Sequence, residues 1–339
     1  MPAIANPASA HGPSPAAATH LLIPFAACAG DGWTWAMQQL PPASLKNLGK
    51  LLSGMALVDA DRGDAMSLSP PHERVLARTT GLADKPVDGL IAWAALQAST
   101  LNGLEGAASK AWGLVTPCHW AMGREHATMA DPAALDLPEA ESRTLLAAMQ
   151  PYFETDGITL HYVSPTAWLA EGELLRSMPT ASLDRVLGRN VDPWLPDVTS
   201  APVFRRLQNE MQMLLYTHPL NDERGAKRQW PVNSFWISGT GALDKLPPAA
   251  TTQPQLQLQR SLKTAALADD WQAYSEAWAA LDADEIAGLL DARRAGKTVR
   301  LTLAGERNAH TYESVKSGLG SRLAGLFKST QPMSVLEQL

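Results

Sequence analysis

The stretch Thr217–Gly241, THPLNDERGAKRQWPVNSFWISGTG, decides how the rest of the chain is read. It gathers His218, Asn221, the acidic pair Asp222-Glu223, Arg224, Lys227, Arg228 and Trp230 into one turn-rich span. It then enters the apolar run Asn233-Ser-Phe-Trp-Ile-Ser238 and breaks at Gly239-Thr-Gly241. A polar loop leading into an apolar strand that stops at small residues is how a ligand site at the edge of an open α/β sheet presents itself. A long surface loop feeding a buried strand gives the same pattern.

Working outward, 339 residues with 45% hydrophobic and 18% charged side chains describe a globular chain with ample core. The net charge of -6 and the lack of a basic tract argue against nucleic acid or an anionic membrane surface as a partner. A small anion remains possible, because local arginines override a mildly acidic whole. Two cysteines, Cys28 and Cys118, are too few for a disulfide framework or a cysteine zinc site and fit a reducing, cytoplasmic setting. Residues 1–19 are rich in Ala, Pro and Ser and read as a flexible tail without the basic start and apolar run of a signal peptide. No apolar run reaches the roughly 18 residues needed to span a bilayer. Eleven tryptophans against five phenylalanines and five tyrosines are read chiefly as core and pocket edge.

Hydrophobic patterning predicts strands over His20–Ala27, Trp112–Thr116, Ile158–Val163, Asn233–Ser238 and Val299–Ala304. Helices are expected over Leu45–Met55, Pro70–Arg78, Pro86–Ser99, Glu139–Phe153, Pro165–Leu175, Val203–Tyr216 and Leu267–Leu281. Asp282 with Glu285 resembles a capping box for a further helix ended by Gly296. Lys245–Gln259 reads as a low-complexity connector, and the chain after His310 as a helix with a polar tail. Strands separated by helices, with no hairpin dipeptides between them, predict an α/β fold: a mostly parallel sheet with helices on both faces. The loops starting at Cys28, Pro117, Gly239 and Gly305 would then meet at its carboxyl edge.

Two chemistries can be built from the polar residues. Asp31, His119, His126, Asp131 and His310 are candidate ligands for Mn or Zn, with Asp31 and His119 as catalytic candidates. However, no H-x-H or H-E-x-x-H spacing supports them. Arg124, Arg185, Arg189, Arg224 and Arg228 present forks suited to phosphate or carboxylate, and Gly239-Thr-Gly241 offers backbone N–H groups. Nucleophilic catalysis has no G-x-S-x-G elbow, P-loop or G-x-G-x-x-G to support it.

In order, the blocks WGLVTPCHWAMGREHATMADPAALDLPEAESRTLLAAM (112–149), GITLHYVSPTAWL (157–169), PTASLDRVLGRNVDPWLP (179–196) and His218–Gly241 resemble a known family. They are similar to the substrate-domain half of archaeal-type cofactor-independent phosphoglycerate mutases, of the alkaline-phosphatase-like superfamily, and to a bacterial RpfE-type regulatory subgroup. The resemblance covers about half the chain. It implies an alkaline-phosphatase-like core from 20–111 and 246–330, with a substrate-domain-like region at 112–245. It also implies two metal ions and a phosphorylated serine. The family's early aspartate-glycine element pairs loosely with Asp31-Gly32. Its proline-proline-histidine-aspartate element is expected near Pro179–Arg185, where this chain has no histidine. Its late Asp-His pair reads Glu306-Arg307, and an arginine has no lone pair for a metal. The expectation is therefore a degenerate, non-catalytic or regulatory homologue with no metal or cofactor. It would bind a small anionic or phosphorylated metabolite through His218, Asn221, Arg224, Asn233, Arg124 and Arg185, and act through a protein partner or homo-oligomer. The alternative is a metal-dependent mutase or phosphatase with rearranged ligands.

Overall fold

The computed structural model describes residues 19–41, 43–197, 199, 201–247, 255–315 and 331–339. All of the tail expected at 1–19 except Thr19, and residues 248–254 of the connector expected at 245–259, lie outside the described residues. Eleven strands are found there: β1 (Thr19–Ile23), β2 (Met55–Arg62), β3 (Ala111–Cys118), β4 (Trp120–Met122), β5 (Ala127–Met129), β6 (Thr159–Ser164), β7 (Ala167–Glu171), β8 (Ser234–Ala242), β9 (Gln255–Leu258), β10 (Val299–Ala304) and β11 (Asn308–Ser314). They form a five-stranded sheet in the order β2-β11-β10-β1-β9, a four-stranded sheet in the order β6-β7-β3-β8, and the hairpin β4-β5.

This is a mixed α/β fold, but the sheets are not mostly parallel. Only β1 pairs parallel, with β10 on one side and β9 on the other. The remaining ladders, including the whole four-stranded sheet, are antiparallel. The expectation failed where strands were read as something else. Asn308–Ser314 folds back on β10 through the tight Gly305-Glu306-Arg307 turn, and Ala167–Glu171 pairs with both β6 and β3. Gln255–Leu258 forms an edge strand that places Leu256 and Leu258 against Leu22 and Val75.

The period of two along β1 explains why it is central. Leu21 and Ile23 face one core, whereas Leu22 faces the smaller cluster with Val75, Ala304 and Ala309. The larger core is covered by the helices Asp31–Gln39, Lys46–Leu52, Ser261–Leu267 and Trp271–Leu281, among others. The helix Pro71–Thr79 covers the opposite face through Val75. In the four-stranded sheet, Trp168 and Phe235 pack under the helices Glu139–Thr155 and Pro202–Tyr216, while Trp112 and Leu169 pack against Trp93–Thr100. Burial of the central strands β1, β3, β8 and β10 on both faces matches their continuous apolar runs.

Asp282 does not begin a new helix. The chain passes through a π-helical turn at Asp282–Ile286, and the Asp282 carboxylate instead accepts hydrogen bonds from the backbone N–H of Asn47 (3.0 Å) and Leu48 (2.7 Å). It thus caps the first turn of Lys46–Leu52 from a distant part of the chain, satisfying donors that the helix leaves open.

Candidate functional site

The carboxyl ends of β1 and β10 lie side by side, and the Ala26 N–H donates to the Ala304 carbonyl just past them at 2.8 Å. The loops that leave there, Pro24–Gly30 and Gly305–Arg307, meet two further segments. The first is the opening turn of Pro71–Thr79, which carries His72 and Glu73. Proline at its first position is pre-set for helical backbone and lacks only an N–H that would have no partner anyway. The second is the short turn Leu183–Arg185, where the Ser182 hydroxyl accepts from the Asp184 N–H at 3.2 Å.

These segments bring together a buried group. His72 Nε2 lies 3.0 Å from Asp184 Oδ2, and Lys263 Nζ lies 2.6 Å from Asp184 Oδ1. The Ser182 hydroxyl donates to Glu73 Oε1 at 2.5 Å. One ligand atom each of His72, Glu73 and Asp184 falls within 4.8 Å of the others. Burial opposes ionisation of Asp184, but the hydrogen bond and charge of His72 and the ammonium of Lys263 outweigh it and hold the carboxyl down at about 2. Glu73 goes the other way, raised chiefly by burial. The Phe25 ring sits 5.8 Å from that of His72, and Phe25 has φ 55, a strained value for an aromatic residue. The Tyr274 hydroxyl holds the Phe25 carbonyl at 2.7 Å.

Beside this group stand arginines. Arg74 donates to Asp61 (2.5 and 2.8 Å), to the Ser69 carbonyl (2.5 Å) and to the Arg307 carbonyl (3.2 Å), so its fork is filled. Arg185 is only 3% exposed; its Nη1 donates to the Glu306 carbonyl at 2.9 Å, while its buried Nε and Nη2 have no partner among the described residues. Burial, followed by the like charge of Arg74, pulls this guanidinium below its ordinary pKa. Arg189 pairs with Glu306 Oε1 at 2.5 Å. Glu306 and Arg189 also line a cleft of about 290 Å³ together with Cys28, Gly188, Asp269 and Trp271. Burial and then the Glu306 charge push the Cys28 thiol up to about 12, leaving it un-ionised and a poor nucleophile at neutral pH.

The residues singled out from the sequence are placed as follows. Of the four loops expected to converge, those at Cys28 and Gly305 do; Pro117 and Gly239 belong to the other sheet, where Gly239 packs against Trp93 and Leu114. Asp31 and His126 are exposed. Asp131 caps the turn Pro132–Leu135, and His119 stacks on Trp230 with Nδ1 2.9 Å from the Pro231 carbonyl. His310 lies on β11, its pKa lowered by burial and then by Arg62. None of these five belongs to the one trio of metal-capable residues found among the described residues.

The anion candidates in Thr217–Gly241 have their polar atoms engaged within the protein. His218 Nδ1 accepts from the Leu220 N–H, capping Pro219–Ala226. Asn221 binds the Leu215 carbonyl and both backbone groups of Val232, and Asn233 pairs with both backbone groups of Trp120. Arg224 is 0% exposed and donates to the Trp230 carbonyl, Glu141 and the Leu135 carbonyl. Arg124 and Arg228 are exposed. These contacts tie the stretch to Leu135, Glu141, Trp120 and the end of the preceding helix, and fix the start of β8.

His72, Glu73 and Lys263 went unnoticed in the sequence. The signal for the first two is Pro70-Pro71-His72-Glu73, a proline-proline-histidine-acid run of the kind expected near Pro179–Arg185. It stands over a hundred positions earlier in the chain, yet its side chains contact Ser182 and Asp184 in that very segment. The two-metal centre that the family resemblance implies does not fit the residues present. A lysine ammonium is bound to Asp184 of the trio, and position 307 is an arginine whose carbonyl accepts from Arg74.

The fold and site define an α/β protein with a polar cluster at the carboxyl edge of its one parallel strand triplet. No protein-family model matches the chain, and no curated protein matches it. Among solved structures it is similar to the PH0037 protein from Pyrococcus horikoshii, at 10% identity over 88% of each chain with a TM-score of 0.44. It is also similar to the cofactor-independent phosphoglycerate mutase from Thermoplasma acidophilum DSM 1728, at 13% identity over 95% of this chain and 99% of that one with a TM-score of 0.35. At that level of similarity neither protein's activity transfers to this chain. No helix among the described residues is long and apolar enough to cross a membrane.

Proposed function

We propose that this protein is a non-catalytic, phosphoglycerate-mutase-like protein that binds a small anionic or phosphorylated ligand, gripped by Arg185. The observation that carries this reading is the free edge of the Arg185 guanidinium. Nε and Nη2 lie on one side of the fork, buried and without acceptors among the described residues, while Nη1 is anchored on the Glu306 carbonyl. An unpaired buried charge is costly, and a bidentate oxyanion completes that edge with two charge-assisted hydrogen bonds. Arg189, paired with the Glu306 side chain, lines the cleft on the other side of Glu306. Ligand occupancy is then signalled through a protein partner or a second copy of the chain.

The test is a thermal-shift titration in chelator with inorganic phosphate and with 3-phosphoglycerate, paired with mutase and phosphatase assays in added Mn²⁺ and Zn²⁺. The expected result is a saturable rise in Tm with no turnover. Ligand at about 100 times its dissociation constant adds about 2.7 kcal/mol, well within detection. A second reading, a metal-dependent mutase or phosphatase, is favoured by the buried His72, Glu73 and Asp184 trio. Turnover that chelator abolishes and Mn²⁺ restores would establish it in place of the first.

A further inference from the structure

We propose that Lys263 is a built-in substitute for a divalent cation, its ammonium neutralising a His72, Glu73, Asp184 ligand set that the wild-type chain does not open to metal. The trio has the donor set of a borderline-hard cation site: one imidazole and two carboxylates, buried and mutually within 4.8 Å. Such a set ordinarily needs a dication to balance it. Here the balance is struck by other means. Lys263, from the helix Ser261–Leu267, places its ammonium 2.6 Å from Asp184 Oδ1, taking the direction from which a metal would bind.

The second carboxylate oxygen is closed as well. An ionised carboxylate only accepts hydrogen bonds, so the 3.0 Å contact between Asp184 Oδ2 and His72 Nε2 requires the proton to sit on Nε2, whose lone pair is then lost to a metal. His72 Nδ1 is buried without a partner among the described residues. Glu73 Oε1 is bound by the Ser182 hydroxyl. The lysine is 27% exposed at its side chain, so the substitute is tethered at the rim of the cluster and its removal leaves a path for an ion.

This inference stands apart from the anion reading at Arg185, since it concerns different atoms and predicts cation binding. The measurement is metal uptake by the full-length chain after chelator treatment, by equilibrium dialysis with elemental analysis, using Zn²⁺ and Mn²⁺. Wild type should take up no stoichiometric metal. Lys263→Ala and Lys263→Gln should each gain a single site, at least about tenfold tighter than anything in wild type, equivalent to about 1.4 kcal/mol. Adding Asp184→Asn to either should remove the gain, which separates this site from adventitious surface histidines. Should Lys263→Ala purify poorly, its Tm should rise with Zn²⁺ while that of wild type does not. Stoichiometric uptake by wild type equal to that of Lys263→Ala would overturn the proposal, as would a folded Lys263→Gln that binds no metal.

Discussion

Removing Arg224 tests whether the loop that dominates the sequence is a ligand wall or a structural tie. Its side chain is 0% exposed and makes three hydrogen bonds: Nε to the Trp230 carbonyl at 2.8 Å, Nη1 to Glu141 Oε2 at 2.5 Å and Nη2 to the Leu135 carbonyl at 2.5 Å. In Arg224→Ala, Glu141 keeps only Lys227, 4.0 Å away and on a largely exposed side chain. Breaking a buried ion pair by deleting one partner costs about 3–5 kcal/mol. The two carbonyls that lose their donors overlap with this figure rather than adding in full, which puts the total at about 4 kcal/mol. At an m-value of about 3 kcal/mol/M, the urea midpoint should fall by about 1–2 M. Tryptophan fluorescence reports it, since Trp236 and Trp168 are buried near this loop's end of the sheet. Arg224→Lys should recover only part of the loss, because an ammonium cannot reach three acceptors through a planar fork. Phosphate binding measured below the transition should be unchanged in both variants. A normal midpoint together with lost phosphate binding would refute the structural role.

Two more predictions follow from single contacts. His20 is buried with Nε2 2.8 Å from Thr302 Oγ1, and burial, then Arg300, lowers its pKa from 6.5 to about 4. The fold thus favours the neutral ring, so this contribution is intact above pH 6.5 and is lost as pH falls towards 4. The loss amounts to about 3 kcal/mol. His20→Gln should flatten the acid limb of the stability–pH curve over that window, and an unchanged limb would contradict the assignment. Asp282→Ala removes the acceptor for two N–H groups of Lys46–Leu52 and should lower stability by about 1–2 kcal/mol in urea melts. Asp282→Asn should recover some of that loss.

How much of this was legible beforehand follows from the physics of each segment. β1, β3 and β10 are apolar on both faces and were readable as strands. β2 carries exposed Leu57 and Val58 among Asp59, Asp61 and Arg62, and β11 mixes His310, Thr311 and Glu313, so neither offers an apolar run. Their stability comes from pairing with each other and with β10, which no local window contains. The alternation in Gln255-Leu-Gln-Leu258 is a strand signal set inside a low-complexity segment. At the site, Arg185 is one of five arginines whose forks suit an oxyanion, and nothing in the sequence separates it from the other four. His72 and Glu73 were hidden inside a well-formed helix pattern, and only the proline pair before them marks the turn that pins them. Lys263 had no local signal at all: its role exists only because a helix far along the chain packs against the Ser182–Arg185 turn. In Thr217–Gly241 the buried polar groups of Asn221, Arg224 and Asn233 are taken up by structural partners, several of them outside the stretch.

The central claim is that Arg185 holds a small oxyanion without any metal. Its most direct test is calorimetric titration of inorganic phosphate and 3-phosphoglycerate into chelator-treated protein, comparing wild type with Arg185→Gln. The account predicts saturable binding by wild type in the presence of chelator, weakened at least about tenfold in Arg185→Gln, which matches the loss of about 1.4 kcal/mol or more expected for a charged bidentate contact. Arg185→Gln should retain or raise the wild-type Tm, because it relieves an unpaired buried charge. Equal affinity in the two proteins, or binding that appears only when Mn²⁺ or Zn²⁺ is restored, would contradict it.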